Sequence, residues 1–288
     1  MLRGLVVAAF GKRYEVELED KHRISCVTRG KKTDIASGDI VEIALTDHHE
    51  GVVEKITPRK TLLYRSNAFK SKLLAANVTQ IVIVLATQPS FYEALLNRCL
   101  VAAEAAGIKV LIVLNKCDLA NSDATEKLAQ YAQLGYQTLS LSATQNIEPL
   151  LPFLHGEQSV MVGQSGMGKS TIINALLPHE AARTQEFSAA LDSGKHTTTA
   201  TRLYHLDADS SLIDSPGLQE FGLYHISQLE LEQAFIEFRP YLGHCRFNNC
   251  RHLHEPDCAI LHQLNLTIAP NRLTQYQQLT EELHRNTS

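Results

Sequence analysis

The sequence has no long hydrophobic run. Nowhere in its 288 residues does a stretch approach the roughly 18 to 20 uncharged apolar residues of a membrane span. The first ten residues, Met1–Phe10, are apolar apart from Arg3, but Lys12 and Arg13 follow at once and the run reads as a strand. That layout is not a signal peptide, and the expected location is the cytoplasm. Charge of neither sign dominates: 27 Lys and Arg stand against 31 Asp and Glu, a net charge of −4. The whole-chain charge therefore gives no argument for a nucleic-acid partner. Internal repeats, low-complexity tracts, coiled-coil heptads and an obvious dimerisation segment are missing too, so a monomer is expected. The six cysteines are not laid out as a disulfide framework. Cys26, Cys99 and Cys117 are scattered, whereas Cys245, Cys250 and Cys258 gather with histidines, which in a cytosolic chain reads as metal binding.

What is there divides into three blocks: 1–72, 73–226 and 227–288. Residues 1–74 hold 14 Lys/Arg against 10 Asp/Glu, and the remaining 214 hold 13 against 21, so the basic part is N-terminal. In the first block Leu5–Ala9, Tyr14–Leu18, Arg23–Thr28, Ile40–Leu45 and Gly51–Ile56 read as strands, punctuated by Gly11, Gly30, Gly38 and Asp47. Five short strands in a compact block suggest a barrel of the oligonucleotide-binding (OB) type; an SH3-like docking barrel is the alternative. Pro58–Lys72, with Arg59, Lys60, Arg65, Lys70 and Lys72, reads as a basic connector. In the second block apolar strands (Gln80–Ala86, Lys109–Leu114, Tyr136–Leu141, Ser159–Val162) alternate with helical stretches (Phe91–Ala106, Thr125–Leu134). That is the pattern of a mostly parallel sheet covered on both faces, and the chain is predicted to be multidomain α/β. The third block turns helical from Ser227 and ends in a helix at Asn271–Arg285.

The second block carries the chemistry. Gly163, Gln164, Ser165, Gly166, Met167, Gly168, Lys169 and Ser170 fit the phosphate-loop pattern, between a strand and a helix that opens at Thr171. The glycines let backbone amides converge on phosphates, the helix N-terminus adds its dipole, Lys169 would bridge the β- and γ-phosphates and Ser170 would bind Mg²⁺. The loop does not distinguish ATP from GTP. Asn115-Lys116-Cys117-Asp118 does, because the Asp118 carboxylate can accept from both N1–H and the exocyclic amine of guanine, and another base would leave that buried carboxylate unpaired. Ser142 and Ala143 follow the next strand, where a second base-contacting loop belongs.

In Asp214-Ser215-Pro216-Gly217, Asp214 would hold Mg²⁺ through water and Gly217 would offer its amide to the γ-phosphate. The residue after that glycine, where many GTPases place a water-orienting glutamine, is Leu218, so slow intrinsic turnover is expected. Between the two motifs runs Ser193–Thr199. One of Thr197, Thr198 or Thr199, with Thr198 foremost, is expected to close on Mg²⁺; His196 is either the water-positioning group or a solvated loop residue. The guanine motif precedes the phosphate loop, the reverse of an ordinary small GTPase, and such a rotation is permitted where the original termini lie close together at the surface. In the third block Cys245, Cys250, His252 and Cys258 lie within fourteen residues and suit a closed, structural tetrahedral zinc site, with His244 and His254 as alternative imidazoles. Such a site would fold a region otherwise short of apolar core.

Taken together, these features resemble one family nearly end to end: the RsgA (YjeQ) circularly permuted GTPases of bacterial small-subunit biogenesis. The resemblance rests on the barrel-like start, the rotated motif order, Gly-Lys-His-Thr-Thr-Thr, Asp-Ser-Pro-Gly with Glu220-Phe221-Gly222, and the spacing of the Cys/His cluster. It implies GTP hydrolysis to GDP stimulated by the 30S subunit, a barrel contacting rRNA, one zinc per chain, and a late role in subunit maturation and factor release. The sequence opens almost at the first barrel strand, and the last helix sets Arg272 and Arg285 against Glu281 and Glu282. RNA contacts are therefore expected to rest on the barrel and on Arg59–Lys72.

Overall fold

The computed structural model describes residues 1–30, 34–67, 70–119, 122–178, 201–214, 223 and 225–285. Strands β1 (Leu2–Phe10), β2 (Arg13–Leu18), β3 (Arg23–Thr28), β4 (Ile40–Leu45) and β5 (Glu50–Ile56) run in the order β1-β2-β3-β5-β4, and β4 pairs back onto β1. Only β3 and β5 pair in parallel. Closure leaves this sheet without a free edge, and alternation along each strand turns Val6, Tyr14, Val16, Ile24, Cys26, Val41, Ile43 and Val53 into a separate barrel core. The expected OB-type barrel is thus present, with strand bounds close to those read from the sequence.

Pro58–Lys72 is not a plain connector. Its second half enters a hairpin of β6 (Leu62–Asn67) with β7 (Lys70–Ala76), which anchors itself by burying Leu63 and Leu74. The charges at Arg65, Lys70 and Lys72 masked that apolar content.

The next six strands are β8 (Gln80–Ala86), β9 (Lys109–Asn115), β10 (Gln137–Ser140), β11 (Gln158–Val162), β12 (Thr201–His205) and β13 (Ser211–Asp214). They lie in the order β10-β9-β8-β11-β13-β12, parallel except for β12 at the edge. Central β8 is buried at every position, as a strand covered on both faces must be. Helices α1 (Glu93–Ala105), α2 (Ser122–Gln133), α3 (Leu151–Leu154) and α4 (Lys169–Leu176) complete this part. The carboxyl ends of β8, β9, β11 and β13 converge on one edge, where open α/β sheets bind ligands.

Beyond it, α5 (Gln228–Ala234) starts in a capping box, Ser227 and Glu230 exchanging hydrogen bonds, and a 3₁₀ segment, Ile236–Tyr241, follows. The chain ends in α6 (Pro270–Arg285). This region was expected to be short of apolar core, and it is not. Phe235, Phe238 and Tyr276 are fully buried with ring centroids 5.0–5.3 Å apart, and they belong to the same core as the parallel sheet. Among the described residues no helix is long and apolar enough to cross a membrane.

Candidate nucleotide site and metal cluster

Strand β11 ends at Val162 and the chain turns through Gly163–Gly168 into α4. Two glycines there are demanded by geometry. At Gly163 (φ +150) a Cβ would lie 2.3 Å from the Val84 carbonyl oxygen; at Gly168 (φ +92) it would lie 2.3 Å from Asn115 Nδ2. Backbone thus passes where no side chain fits, on the face where the strand ends converge.

Asn115 is the tie between three loops. Its Nδ2 donates to the Met167 carbonyl at 3.0 Å and its Oδ1 accepts from the Ala143 amide at 3.0 Å. One buried side chain therefore joins the end of β9, the loop after β10 and the phosphate loop. Lys116, at φ +61, donates from Nζ to the Gly166 carbonyl (2.7 Å) and to the Gln88 carbonyl (2.8 Å). The segment Thr87–Pro89 is drawn in further by Thr87 Oγ1 donating to the Lys116 carbonyl at 2.7 Å. Asp118, expected to be a buried carboxylate, is exposed at the rim of this edge, because it lies in the loop beyond the end of β9. Ser142 receives the amides of Gln145 and Asn146 at its carbonyl, which holds its loop in a tight turn.

Lys169 Nζ donates to the Gly163 and Gln164 carbonyls at 2.5 and 2.8 Å. Burial pushes the amine's pKa down, opposed by the charge of Asp214; burial pushes the Asp214 carboxyl up, opposed by Lys169. The two partly buried groups offset one another at the end of β13. Ser165, Gly166, Ser170 and Thr171 are exposed around the loop, while Met167 is buried beneath it. His196, Thr198 and Gly217 lie outside the described residues, as do Thr197, Thr199 and Leu218.

In the C-terminal region Cys245, Cys250, His252 and Cys258 present donor atoms within 4.8 Å of one another. His252 Nδ1 lies 3.5, 3.5 and 3.3 Å from the sulfurs of Cys245, Cys250 and Cys258, and the Cys245 and Cys258 sulfurs are 3.8 Å apart. A tetrahedron with metal–sulfur bonds of ~2.3 Å and a metal–nitrogen bond of ~2.0 Å has edges of about 3.8 and 3.5 Å, so the donor set fits such an ion. Burial lowers the His252 pKa and so favours the neutral imidazole that a metal needs. Burial also raises the Cys250 thiol to about 12, a state that a divalent cation would reverse. His244 and His254 are exposed and stay outside the cluster.

Supporting groups with no sequence motif surround it. Glu232 Oε2 stands 4.0 Å from His252 Nε2, and the Ala259 amide donates to Cys245 Sγ at 3.4 Å. Glu255 accepts from the amides of Arg251, Leu253 and His254. Arg59, in the stretch expected to contact RNA, is committed inside the fold, and so is Arg272 of the last helix. Arg59 makes a two-pronged bond to buried Asp39 at 2.7 and 2.8 Å, and Arg272 does the same to Glu237 at 2.6 and 3.1 Å.

Comparison with known proteins follows the same outline. A sequence model of the RsgA GTPase family matches residues 56–224. The small ribosomal subunit biogenesis GTPase RsgA of Nitrosospira multiformis is 51% identical over 288 residues, covering 99% of this chain and 92% of that protein. The Burkholderia pseudomallei protein of the same name is 52% identical over 288 residues, covering 97% and 92%. Among solved structures, YjeQ from Thermotoga maritima matches with a TM-score of 0.77 at 30% identity, covering 98% of both chains. YloQ, a circularly permuted GTPase, matches at 0.72 and 27%, covering 99% of this chain and 96% of that one.

Proposed function

The chain belongs to the RsgA family of circularly permuted GTPases and is a GTP hydrolase, and on that premise we propose that it serves late maturation of the small ribosomal subunit in the cytoplasm. Its turnover would be stimulated by the 30S subunit, its barrel would contact rRNA, and hydrolysis to GDP would set the factor's release. The observation that carries this reading is the Asn115 tie, which brings the guanine motif, the Ser142-Ala143 loop and the phosphate loop to one edge of the sheet. Each of those loops does a separate part of GTP recognition.

In this reading the amides of Gly163–Gly168 cradle the phosphates at the N-terminus of α4. Lys169 exchanges the Gly163 and Gln164 carbonyls for β- and γ-phosphate oxygens, which restores the charge that burial disfavours. Asp118 reads the guanine edge, with Ser142 and Ala143 closing the base pocket. Ser170 and Asp214 would hold Mg²⁺, which supplies charge neutralisation at the β,γ-bridge. Gly217 offers an amide to the γ-phosphate, and Thr198 and His196 remain the candidates for closing on Mg²⁺ and orienting the water. With Leu218 after the motif glycine, the isolated protein turns over slowly and the ribosomal partner completes the site. Cys245, Cys250, His252 and Cys258 hold one structural zinc.

The test is GTP turnover by the purified protein alone and with 30S subunits, 50S subunits or free tRNA. Stimulation by 30S alone is expected. Equal turnover in all four conditions would sink the ribosomal assignment and leave a GTPase with a different partner.

A further inference from the structure

Strand β12 belongs to two structures at once. On one side it pairs with β13, with Arg202 opposite Asp214; on the other it pairs with barrel strand β1, with Arg202 opposite Ala8. On the next strand inward Asp214 is opposite Met161 of β11. A single rung of the sheet therefore runs Ala8, Arg202, Asp214, Met161, from the barrel wall to the strand that delivers the phosphate loop. Three side-chain contacts reinforce the joint. Ser37 Oγ, fully buried, donates to the Thr201 carbonyl at 2.8 Å. His205 Nε2 meets Glu17 Oε1 of β2 at 2.8 Å, and Glu17 is 6% exposed. The Arg202 guanidinium lies 5.8 Å from the centre of the Phe10 ring. A second attachment, through the same Ser37 and its neighbour, ties the barrel to the chain ahead of β8: the Ala76 amide donates to the Ser37 carbonyl at 3.0 Å and Asn77 Nδ2 to the Gly38 carbonyl at 2.9 Å.

Ladder hydrogen bonds tolerate only small changes of length before they break. A displacement of Asp214 on β13 is therefore carried to β12 and to β1, against the Ala76–Asn77 attachment, which fixes the Ser37–Gly38 segment beside Val6 of β1. We propose that β12 makes the barrel a sensor of the bound nucleotide, so that the GDP and GTP forms differ in the barrel's hold on its RNA partner. The inference rests on the GTPase reading above, with Asp214 at the γ-phosphate end. Linkage requires reciprocity: RNA bound to the barrel must change affinity for GTP over GDP by the same factor, expected to be roughly fivefold or more.

The chain contains no tryptophan, so Phe10→Trp places a single emitter at the joint. With nucleotide binding followed separately by a fluorescent guanine nucleotide, emission is expected to differ between the GDP form and a non-hydrolysable GTP-analogue form. Adding Glu17→Ala and Ser37→Ala, which removes the two hydrogen bonds that clamp β12 to the barrel beside the ladder, should diminish that difference and leave nucleotide affinity unchanged. Amide exchange in β1–β3 of the unsubstituted protein gives the same comparison without a reporter. Equal emission and equal exchange in the two bound forms overturns the inference alone. A difference of undiminished size after the double substitution overturns the route through the β12 joint. Failure to bind guanine nucleotide overturns the GTPase reading and this inference with it.

Discussion

Asn115 holds two partners at 3.0 Å in a buried setting. Removing it strands the Ala143 amide and the Met167 carbonyl. At about 1 kcal/mol for each lost bond, plus the desolvation of groups left unpaired, Asn115→Ala should cost roughly 2–4 kcal/mol in urea unfolding and weaken guanine-nucleotide binding. A variant as stable as the parent would show that the three loops hold together without it. Gly168→Ala separates shape from stability more sharply. Its Cβ would meet the side-chain amide of Asn115 and disturb that residue's bond to Met167, whereas at Gly163 it would meet backbone. Gly168→Ala is therefore expected to fold, at a cost of roughly 1–3 kcal/mol for the left-handed backbone and about 1 kcal/mol more for the disturbed Asn115 bond, while losing nucleotide affinity; a fluorescent-nucleotide titration reads it. At this scale the motif residues were legible because the chemistry restricts their types: only glycine fits φ +92, and only a carboxylate accepts from both guanine donors. The bonds of Asn115 and Lys116 that join the loops to one another were not legible, because their partners are backbone carbonyls and an amide, groups that nearly any residue supplies.

Barrel strands were legible where alternation is clean, as in Tyr14-Glu-Val-Glu-Leu18. Strand β12 was not, because Thr-Arg-Leu-Tyr-His buries only Leu203 fully and presents no periodicity. The ligand spacing around Cys245–Cys258 was equally plain, yet the turn that shapes it depends on Glu255, whose signal in sequence is nil. Burial alone would raise the Glu255 pKa; the amides of Arg251, Leu253 and His254 outweigh it and bring it to about 2. Because the folded value lies below the ordinary 4.5, its stabilisation is full above pH 4.5 and is lost as pH falls towards 2. Glu255→Gln should therefore flatten the acid limb of the stability curve between those values. Glu255→Ala should weaken metal retention by about 10–100-fold, the usual reach of an outer partner of a metal site, in competition with a zinc-sensitive chelator dye. Unchanged retention would mean that the loop shape does not depend on this carboxylate.

How the C-terminal region sits on the rest is a property of the whole chain. Arg272 of α6 and Glu237 of the 3₁₀ segment are 4% and 5% exposed and bonded at 2.6 Å. Arg272 also donates to Asn97 of α1, stacks 4.4 Å from the centre of Phe235, and lies 5.8 Å from the Tyr131 ring of α2. Arg98 pairs with Glu282, and Arg239 with Glu104 at 2.6 Å. None of this was legible, since the partners lie far apart in sequence and Arg272 reads as one more surface charge on a polar helix. The arrangement makes the metal loop a local stabiliser resting on a platform that stands without it. Chelation should accordingly raise amide exchange in residues 245–258 and leave α6 protected; loss of protection throughout 227–285 would make the metal the foundation instead. The buried pair offers the sharper measurement. Arg272→Met leaves Glu237 charged, buried and uncompensated, at an expected cost of about 3–5 kcal/mol, whereas Arg272→Met with Glu237→Leu should recover most of it. A double-mutant cycle in urea reads the coupling. If the double variant is no more stable than the single one, the pair's worth lies in its bonds to Asn97 and the aromatic rings, and the platform is held by that polar geometry more than by the burial around it.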